Sequence, residues 1–381
     1  MKHLHFCAGT QSWNGMAVLA QMLVQEELLR KEDSALVDSI GALSANLDAD
    51  VEDVCVHGAW LPVLWRCAAK VLKNRRALLI WYPHGSYDPV RLRYHGWKKW
   101  LAGLIERYLL RRCDKIVATC EAEKCWIEAY LGKRCPKVEV IDVKRFFSLG
   151  DRSWELGVRE DFSRKERKDR KDRKEDEGNG SKQETGNKKL NLLYLGRRHP
   201  LKGVEFLEAA VAELGGDSRS RESKSNIGIG NSFEEKNLSV NCSTLNFDSK
   251  QIELRIVSNA FGEEKERVWD WCDVLVLPTL SENFALVVAE ALERGKRVIT
   301  TDGAPAWGEN GSLEAVDFSR KERKGRKKKG EDSSELEKRE ELESEIWSGY
   351  GGRLLYLKGY RDGTREKRVA LLKKAIVRVV G

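Results

Sequence analysis

The sequence predicts an α/β protein with two doubly wound parallel sheets. Apolar runs of strand length alternate with segments whose apolar residues recur at helical spacing, and this alternation occurs twice along the chain. The chain has 381 residues, which is enough for two domains of ordinary size. We therefore expect an N-terminal domain over 1–150, a C-terminal domain over 189–363 and a C-terminal helix over 364–381.

The first series of predicted elements lies within the N-terminal domain. Parallel strands need a long crossover between them, usually a helix, and the spacing of the apolar runs leaves room for one. The predicted strands are Leu4–Ala8, Val54–His57, Ala77–Tyr82, Lys115–Thr119 and Val138–Val143. The predicted helices span about 15–31, 60–73, 97–112 and 121–131.

The second series has the same alternation and predicts the second sheet. Its strands are predicted at Leu190–Leu195, Ile252–Val257, Asp273–Leu277, Arg297–Thr301 and Arg353–Leu357. Its helices are predicted at about 203–214, 263–271, 285–294 and 364–379. Strands that are buried on both faces read as continuous apolar runs, as these do, which indicates helices on both sides of the sheet.

Three segments contain too few large apolar residues to offset the entropy of folding, and we expect them to be disordered. They are 159–188, 216–249 and 319–346; the first and third are dense in Lys, Arg and Glu, and the second is rich in Ser, Asn and Gly. Each precedes a predicted strand of the second series. We therefore expect all three at the amino edge of the sheet, away from the carboxyl edge where ligands bind.

Charge and cysteine content argue against several classes of protein. With 68 basic and 60 acidic residues, the formal net charge is +8, a small excess for a charge-rich chain. The basic segments lack interleaved aromatic residues for base stacking, so we expect no nucleic-acid partner. The nine cysteines are scattered without a Cys-x-x-Cys motif, which favours a reducing cytoplasm. We also expect neither a secretory signal nor a membrane-spanning helix.

Two glutamates flank the start of a predicted helix in the second series. Glu282 lies in the turn after the strand Asp273–Leu277, and Glu290 lies eight positions further on, about 12 Å along a helix. A helix N-terminus offers free N–H groups and a partial positive charge to a phosphate. A ligand with hydroxyls at both ends and phosphates between them suits this spacing, and a nucleotide sugar is such a ligand.

A second loop supplies the cations that a diphosphate needs. Gly196 follows the first strand of the second series and would allow a sharp turn close to a ligand. Arg197 and Lys202 would flank the start of the next helix and neutralise a diphosphate. Taken alone, the motif fits an ordinary solvated loop equally well. The glutamate pair on a later unit of the same sheet favours a binding site.

Together these motifs resemble the retaining glycosyltransferases of family 4, which have the GT-B fold. The resemblance rests on Gly-Arg-x4-Lys-Gly at 196–203, Ser-Glu-Asn-Phe-x5-Glu-Ala-Leu-x2-Gly at 281–295 and Arg-Val-Ile-Thr-Thr at 297–301. In the first half it rests on Tyr82-Pro-His84-Gly85 and on Asn14-Gly15, where many members have two glycines. It implies two Rossmann-like domains facing a cleft, with the acceptor on the N-terminal side and the nucleotide-sugar donor on the C-terminal side.

The resemblance also assigns roles to individual residues. It makes Glu282 and His84 the catalytic residues beside the donor sugar, and it places Glu290 on the nucleotide ribose. It places Arg197 and Lys202 on the diphosphate. The remaining implied donor-binding residues are Gly196, Asn283, Phe284, Ala285, Asn14 and Gly15, of which 283–285 contribute backbone N–H groups. No Asp-x-Asp motif lies beside these elements, so we expect no metal and no other cofactor.

The activity that the resemblance implies is hexosyl transfer from a nucleotide-diphosphate sugar to a glycan or lipid-linked acceptor, with retention of configuration. Surface polysaccharide or lipopolysaccharide synthesis would be the pathway. Two alternatives stay open at this point. One is a nucleotide-sugar epimerase or an inactive glycan-binding relative of the same fold, and the other is a basic scaffold that binds nucleic acid.

The predicted helix at 97–112 is basic, aromatic and amphipathic. Such a helix could lie on an anionic membrane that presents a lipid-linked acceptor. The expected location is then the cytoplasm or the inner face of the cytoplasmic membrane. The simpler interpretation, which we favour from sequence alone, is a helix packed on the first sheet with a basic outer face.

Overall fold

The computed structural model describes two compact units, each built on one sheet. The described residues are 2–8, 15–47, 50–74, 76–93, 96–148, 189–214, 239–247, 250–258, 260, 262–308 and 346–380. The first unit takes its described residues from 1–86, 95–118 and 127–186, and the second takes them from 87–94, 119–126 and 187–381. The prediction of two doubly wound parallel-sheet folds is confirmed. Two short segments of the N-terminal half thus belong to the second unit.

The first sheet has six parallel strands in the order β2-β1-β3-β4-β5-β6. The strands are β1 (Lys2–Cys7), β2 (Asp33–Val37), β3 (Val51–His57), β4 (Leu78–Tyr82), β5 (Lys115–Ala118) and β6 (Val138–Val140). From β1 the chain goes to β2 on one side and then to β3 on the other. This reversal is a topological switch point, and ligands of such sheets bind at the carboxyl ends of the strands there.

Helix α3 (Pro62–Asn74) buries one stripe of its surface, as the period of its apolar residues requires. In α3 the buried residues are Leu64, Cys67, Ala68 and Val71, which share one helical face. The helices of the N-terminal half are α1 (Gly15–Leu29), α2 (Ile40–Asn46), α3 (Pro62–Asn74), α4 (Pro89–Arg93), α5 (Gly96–Leu110), α6 (Glu121–Leu131) and α7 (Arg145–Ser148). A 3-10 turn, Gly132–Arg134, follows α6.

The second sheet has seven strands in the order β12-β13-β11-β10-β7-β9-β8. The strands are β7 (Lys189–Leu195), β8 (Ser239–Phe247), β9 (Lys250–Ser258), β10 (Val274–Leu277), β11 (Arg297–Thr301), β12 (Ile346–Gly349) and β13 (Leu354–Leu357). The five inner strands are parallel, and the edge strands β8 and β12 are antiparallel to their neighbours. The chain leaves β7 for β9 on one side and β10 on the other, so a second switch point lies between β7 and β10.

Four helices accompany the second sheet, and their positions agree with the predicted ones. They are α8 (Val204–Leu214), α9 (Gly262–Trp271), α10 (Leu286–Glu293) and α11 (Arg365–Val380). Short 3-10 turns at Pro200–Lys202 and Pro305–Trp307 follow β7 and β11. The inner strands β10 and β13 are buried along their whole length, as their continuous apolar runs predict.

The predicted disorder of 216–249 and 319–346 is wrong at the C-terminal end of each segment. Ser239–Phe247 form β8, and Ile346 begins β12. Edge strands are held mainly by backbone hydrogen bonds on one side, so polar sequences can form them without a long apolar run. The whole of 159–188, together with 216–238, 248–249 and 319–345, lies outside the described residues.

The predicted amino-edge location is also wrong where 216–249 and 319–346 rejoin the sheet. Ser239 pairs with Ser258, the last residue of β9, and Ile346 pairs with Leu357, the last residue of β13. Because β8 and β12 run antiparallel to these neighbours, both begin at the carboxyl edge. The chain after 159–188 resumes at Lys189, at the amino edge, as expected.

Candidate active site

The loops after β7 and β10 are held together at the switch point of the second sheet. Leu280 N donates to the carbonyl oxygen of Leu201 at 2.8 Å, and Thr279 Oγ1 donates to the same oxygen at 3.1 Å. The loop after β11 joins them, because Glu282 N donates to Gly303 O at 2.7 Å. Three loops from three neighbouring strands therefore meet where ligands bind in sheets of this kind.

Two glycines make this close packing of loops feasible. Gly203 has φ +63°, and a Cβ there would lie 2.2 Å from the carbonyl oxygen of Pro278. A Cβ on Gly303 would lie 2.1 Å from the carbonyl oxygen of Thr279. Real Cβ atoms do not approach backbone oxygen so closely. Glycine at both positions lets the backbones touch, and this contact sets the separation of the side chains carried by the two loops.

Lys202 and Glu282 form an ion pair through Nζ and Oε2. Their side chains are only 17% and 19% exposed. Burial, and then the charges of Arg91 and Arg197, lower the pKa of Lys202 to about 7, while the carboxylate of Glu282 acts in the opposite direction. An anion such as a diphosphate could take the place of the carboxylate as the partner of Lys202, and Glu282 would then be released towards the ligand.

Arg197 and Arg91 add two further cations to the site. Arg197 is exposed, and its guanidinium makes no hydrogen bond or ion pair with any residue that the structure describes, although its carbonyl oxygen accepts from Tyr194 Oη at 2.9 Å. Arg91, on α4, is half-buried and donates from Nε to Ser281 Oγ at 2.9 Å. Burial lowers the pKa of Arg91, and the charge of Arg197 contributes to the lowering. Arg91 was not among the predicted site residues, although it lies shortly after the strand that precedes His84.

A buried network fixes the backbone immediately before Glu282. Ser281 Oγ donates to Asp88 Oδ2, and Arg361 Nη2 donates to Asp88 Oδ1. Asp88 is 1% exposed, so its carboxylate depends on these donors to be stable in the folded protein. Asp302 accepts from the backbone N–H of Arg361 at 2.7 Å and fixes this arginine in turn. The contacts of Asp88, Ser281 and Arg361 could not be predicted, because nothing in the spacing of these residues indicates them.

The N-terminus of α10 faces this site with a strained backbone. Ala285 caps the helix with φ 55° and ψ 65°, a left-handed conformation that costs a non-glycine residue about 1–2 kcal/mol. Asn283 Oδ1 accepts from Thr119 Oγ1 at 2.8 Å, and Phe284 O accepts from Trp307 Nε1. The N–H groups of Asn283 and Ala285 donate to no residue in the described part of the chain. Unpaired N–H groups at the start of a helix are of the kind that commonly bind anions.

Glu290, on α10, is 6% exposed and has a cationic partner on α9. Lys265 Nζ lies 2.8 Å from Oε1 and 2.7 Å from Oε2. Of these two contacts the first has hydrogen-bond geometry, so the buried Oε2 keeps its capacity to accept. Sequence reasoning missed this pairing. The lysine explains how the carboxylate is tolerated without a ligand, and the ribose contact of Glu290 stays a prediction.

The remaining predicted donor-binding residues are Gly196, Gly15 and Asn14. Gly196 N donates to Val257 O at 3.0 Å, and Ser258 Oγ donates to Gly196 O at 2.8 Å, so this glycine is tied to β9. Gly15 begins α1 in the first unit, and Asn14 lies outside the described residues. Among the residues that the structure describes, no group of three His, Cys, Asp or Glu side chains could hold a metal ion.

His84 follows β4 in the first unit and is 8% exposed. Its φ is 55°, and Gly85 after it has φ 71°, so the turn holds a non-glycine residue in the left-handed region. Burial lowers the pKa of His84 to about 3, and the imidazole is therefore neutral at ordinary pH. Its Nε2 lies 2.9 Å from Nδ1 of His57, another buried histidine.

Two family models match the sequence. The model described as glycosyl transferases group 1 matches residues 189–319, and the model described as glycosyltransferase family 4 matches residues 39–142. Together the two matches cover more than half of the chain. No curated protein matches the chain significantly in sequence.

Several solved structures are similar to this chain at low sequence identity. For sucrose-phosphate synthase from Thermosynechococcus elongatus, the TM-score is 0.48 at 13% identity, over 79% of this chain and 81% of the other. For α,α-trehalose 6-phosphate synthase from Burkholderia multivorans, the TM-score is 0.40 at 12% identity, over 78% of this chain. For the UDP-forming α,α-trehalose-phosphate synthase from Burkholderia vietnamiensis, it is 0.41 at 14% identity, over 79% of this chain. The chain spans 64% of the length of each Burkholderia enzyme, which is less than two thirds.

Proposed function

Because this chain belongs to the glycosyltransferases, which both matching family models describe, we propose that it transfers a hexosyl group from a nucleotide-diphosphate sugar to an acceptor with retention of configuration. The observation that carries the proposal is the ion pair of Lys202 with Glu282 beside the N-terminus of α10. Cations, free N–H groups and a carboxylate are what a diphosphate attached to a sugar requires.

The diphosphate is the leaving group, and negative charge grows on it as the glycosidic bond breaks. Lys202, Arg197 and the N-terminus of α10 are donors that are in place before the reaction, and such preorganised charge is usually the largest contribution to catalysis. The β7 loop turns at Gly196, which allows the backbone to approach the phosphates. Arg91 adds a third positive charge to the same region.

Glu282 acts on the sugar in this proposal. When the diphosphate takes over Lys202, the carboxylate is free to accept hydrogen bonds from sugar hydroxyls. Its negative charge then lies near a sugar that gains oxocarbenium character, and it favours that charge. Oε2 of Glu290 accepts from the ribose. The family resemblance alone assigns Asn14 and Gly15 to the diphosphate and His84 to the sugar.

Product analysis tests this reaction and separates it from its alternatives. The protein is incubated with isotopically labelled nucleotide sugars, with and without glycan and lipid-linked acceptors, and the products are identified by NMR. We expect a new glycoside with the anomeric configuration of the donor, formed when acceptor is present. Conversion of one nucleotide sugar into another without acceptor would identify an epimerase. Salt-dependent nucleic-acid binding without any transfer would favour the basic scaffold.

We expect the affinity for the donor to fall as the pH rises above about 7. The pKa of Lys202 is about 7 in the free protein, and a bound diphosphate raises it by favouring the charged form. Binding therefore takes up a proton between the two pKa values, and the affinity drops by up to about tenfold per pH unit there. Isothermal titration of the nucleotide sugar at pH 6.5–8.5 measures the effect.

The Lys202→Arg variant is the control for this pH dependence, since an arginine stays charged over the whole range. Its affinity should be independent of pH. His199, also near this lysine, has a pKa lowered by burial and then by Arg197, so its imidazole is neutral above pH 7 in the free protein. An equally flat profile in the wild type would show that Glu282 keeps Lys202 charged and would contradict the prediction.

We also propose that the acceptor is lipid-linked and that α5 places the protein on an anionic membrane. The exposed side of α5 is apolar, with exposures of 48–69% at Trp100, Leu101, Leu104, Ile105 and Tyr108. The prediction of a basic outer face on this helix is therefore wrong. Contiguous apolar surface of this kind marks an interaction site.

The buried side of α5 explains why its apolar residues face outwards. Glu106 is 0% exposed and accepts from Trp60 N at 3.2 Å and from Trp65 Nε1. This buried carboxylate fixes the rotation of the helix, and Arg111 and Arg112 lie exposed at the end of the apolar side. Aromatic and aliphatic residues bordered by arginines suit the interface of an anionic bilayer. No helix in the described ranges is long and apolar enough to cross a membrane.

Sedimentation with vesicles tests the membrane proposal. We expect the protein to sediment with vesicles containing anionic phospholipid and much less with zwitterionic ones, and we expect Leu104→Glu to abolish this binding. Leu29→Glu is the matched control, because Leu29 is also an exposed helical leucine, 74% exposed on α1. Equal loss in both variants, or no sedimentation of the wild type, would contradict a membrane site on α5.

A further inference from the structure

Four buried or half-buried side chains form a continuous hydrogen-bonded chain that ends at His84. Glu27 Oε2 lies 2.9 Å from His5 Nε2, His5 Nδ1 lies 2.9 Å from His57 Nε2, and His57 Nδ1 lies 2.9 Å from His84 Nε2. The rings of successive histidines stack at centroid distances of 5.1 and 5.2 Å. Ser34 Oγ also donates to Glu27 Oε2, at 2.7 Å.

The register of the first sheet produces this arrangement. His5 on β1 pairs with Cys55 on β3, and His57 lies two residues after Cys55. His57 pairs in turn with Tyr82 on β4, and His84 lies two residues after Tyr82. Residues two apart share a face of a strand, so the three imidazoles step diagonally across one face towards the carboxyl edge at the switch point.

His57 and His84, the two histidines furthest from Glu27 in this series of hydrogen bonds, are neutral. His5 and His57 are 0% exposed and His84 is 8% exposed. Burial, and then the neighbouring His5 and His84, hold the pKa of His57 well below its ordinary value, and burial alone lowers that of His84 to about 3. Although burial pushes the pKa of Glu27 upwards, hydrogen bonds from His5 and Ser34 bring it below its ordinary value. Glu27 is therefore a carboxylate that accepts and cannot donate.

Because the Glu27 carboxylate can only accept, its contact with His5 sets the direction of the hydrogen bonds that follow. In the neutral imidazole of His5, donation from Nε2 to Glu27 leaves Nδ1 as the acceptor. His57 then donates from Nε2 to His5, and His84 donates from Nε2 to His57. Nδ1 of His84 is left with a lone pair, and it makes no hydrogen bond with any residue in the described part of the chain.

We propose that Glu27, His5 and His57 are positioning residues that hold His84 in the tautomer whose Nδ1 accepts a hydrogen bond from a hydroxyl of the donor sugar. The inference rests on the proposed function, in which His84 contacts the sugar. The chain also polarises each successive hydrogen bond, so the negative charge of Glu27 strengthens the lone pair on His84. This strengthening grows as positive charge develops on the sugar, which favours the transition state over the ground state.

The tautomer of His84 is measured by ¹⁵N NMR of the imidazole nitrogens, without any donor. The protein has six histidines, so the signals of His84 are assigned by comparison with His84→Gln. We expect a proton on Nε2 and none on Nδ1 in the wild type. A proton on Nδ1 of the wild type would overturn the inference without the need for another variant.

The Glu27→Gln variant tests the direction of the chain. A glutamine of the same shape can donate or accept, so it no longer fixes the orientation. We expect His84 to populate both tautomers and kcat/KM for transfer to fall about tenfold, with unchanged affinity for the nucleoside diphosphate alone. His3→Gln is the matched control, because His3 lies on the same strand but bonds to Asp53 at 2.9 Å, outside the chain. An unchanged His84 tautomer in folded Glu27→Gln would overturn the proposal.

The contact of His84 with the sugar is tested separately, by the NMR signal of its Nδ1. Addition of the nucleotide sugar should shift the Nδ1 signal of His84, and addition of the nucleoside diphosphate should not. Equal shifts with both ligands would overturn the contact with the sugar. The absence of transfer from every donor would instead contradict the proposed function, and it is distinguishable because the tautomer of the free protein is measured independently of turnover.

Discussion

Replacement of Glu282 by alanine is expected to abolish sugar transfer and to leave the protein folded. The carboxylate is the acidic group beside the cations and the helix N-terminus, and loss of one preorganised group at a reacting centre costs about 10²–10³-fold in kcat. Lys202 is largely buried and its pKa is already lowered to about 7, so it can lose its proton when its partner is removed, and we expect the variant to stay folded. Transfer is measured with the donor identified by product analysis, and stability by thermal unfolding.

The same variant should bind the nucleoside diphosphate at least as tightly as the wild type. Glu282 competes with the diphosphate for Lys202, and alanine removes that competition. Glu208→Ala is a suitable control, since Glu208 forms an exposed ion pair with Arg198 and lies outside the proposed site. It should retain both binding and transfer. Full turnover by Glu282→Ala would refute the catalytic assignment, and weaker nucleotide binding would refute the competition.

Gly203→Ala is expected to be the most destabilising of the substitutions considered for the second unit. The left-handed backbone at φ +63° costs an alanine about 1–2 kcal/mol, and its Cβ would lie 2.2 Å from Pro278 O. The contact is with backbone, so the loops must separate, and overpacking of this kind costs about 1–3 kcal/mol more. Separation would also break the hydrogen bond from Leu280 to Leu201 and move Lys202 away from Glu282. Both thermal stability and donor affinity should fall.

The Gly351→Ala variant measures the cost of a left-handed backbone separately from the cost of crowding. Gly351 has φ +65°, and a Cβ there would meet nothing within 4 Å. The two glycines thus share the same strain and differ in crowding. Gly351→Ala should lower the thermal midpoint by the strain cost alone and should leave donor affinity unchanged. Equal losses of stability in the two variants would show that the contact with Pro278 does not constrain the loops.

The inner strands of both sheets could be predicted because their apolar runs are continuous and the helices between them have a clear period. The edge strands could not. Residues 239–247 are mostly polar, and β8 forms because β9 offers unpaired backbone groups. Asp33–Val37 is short and follows a charged stretch, so β2 was also missed. The direction of β8 and β12 then overturned the predicted location of two inserted segments, since an antiparallel edge strand begins at the opposite edge.

Only part of the candidate site could be predicted from the sequence. Arg197, Lys202 and Glu282 follow strands directly, so their convergence at one edge could be expected from the order of elements, and the structure brings Lys202 and Glu282 into contact. Arg91 could not be expected, because it reaches Ser281 from a segment 190 residues away, and the pairing of Lys265 with Glu290 depends on how two neighbouring helices pack. The histidine chain depends on strand register, which no single motif encodes.

Titration of the donor into wild type and into the Arg197→Ala/Lys202→Ala double variant tests the central claim most directly. A thermal-shift panel first identifies the nucleotide sugar, since a ligand at 100 times its Kd stabilises by about 2.7 kcal/mol. Loss of each charged hydrogen bond should then weaken binding by about 1.5–3 kcal/mol, so the double variant should bind at least a hundredfold more weakly. Unchanged affinity in a folded double variant would contradict a donor site at this edge of the second sheet.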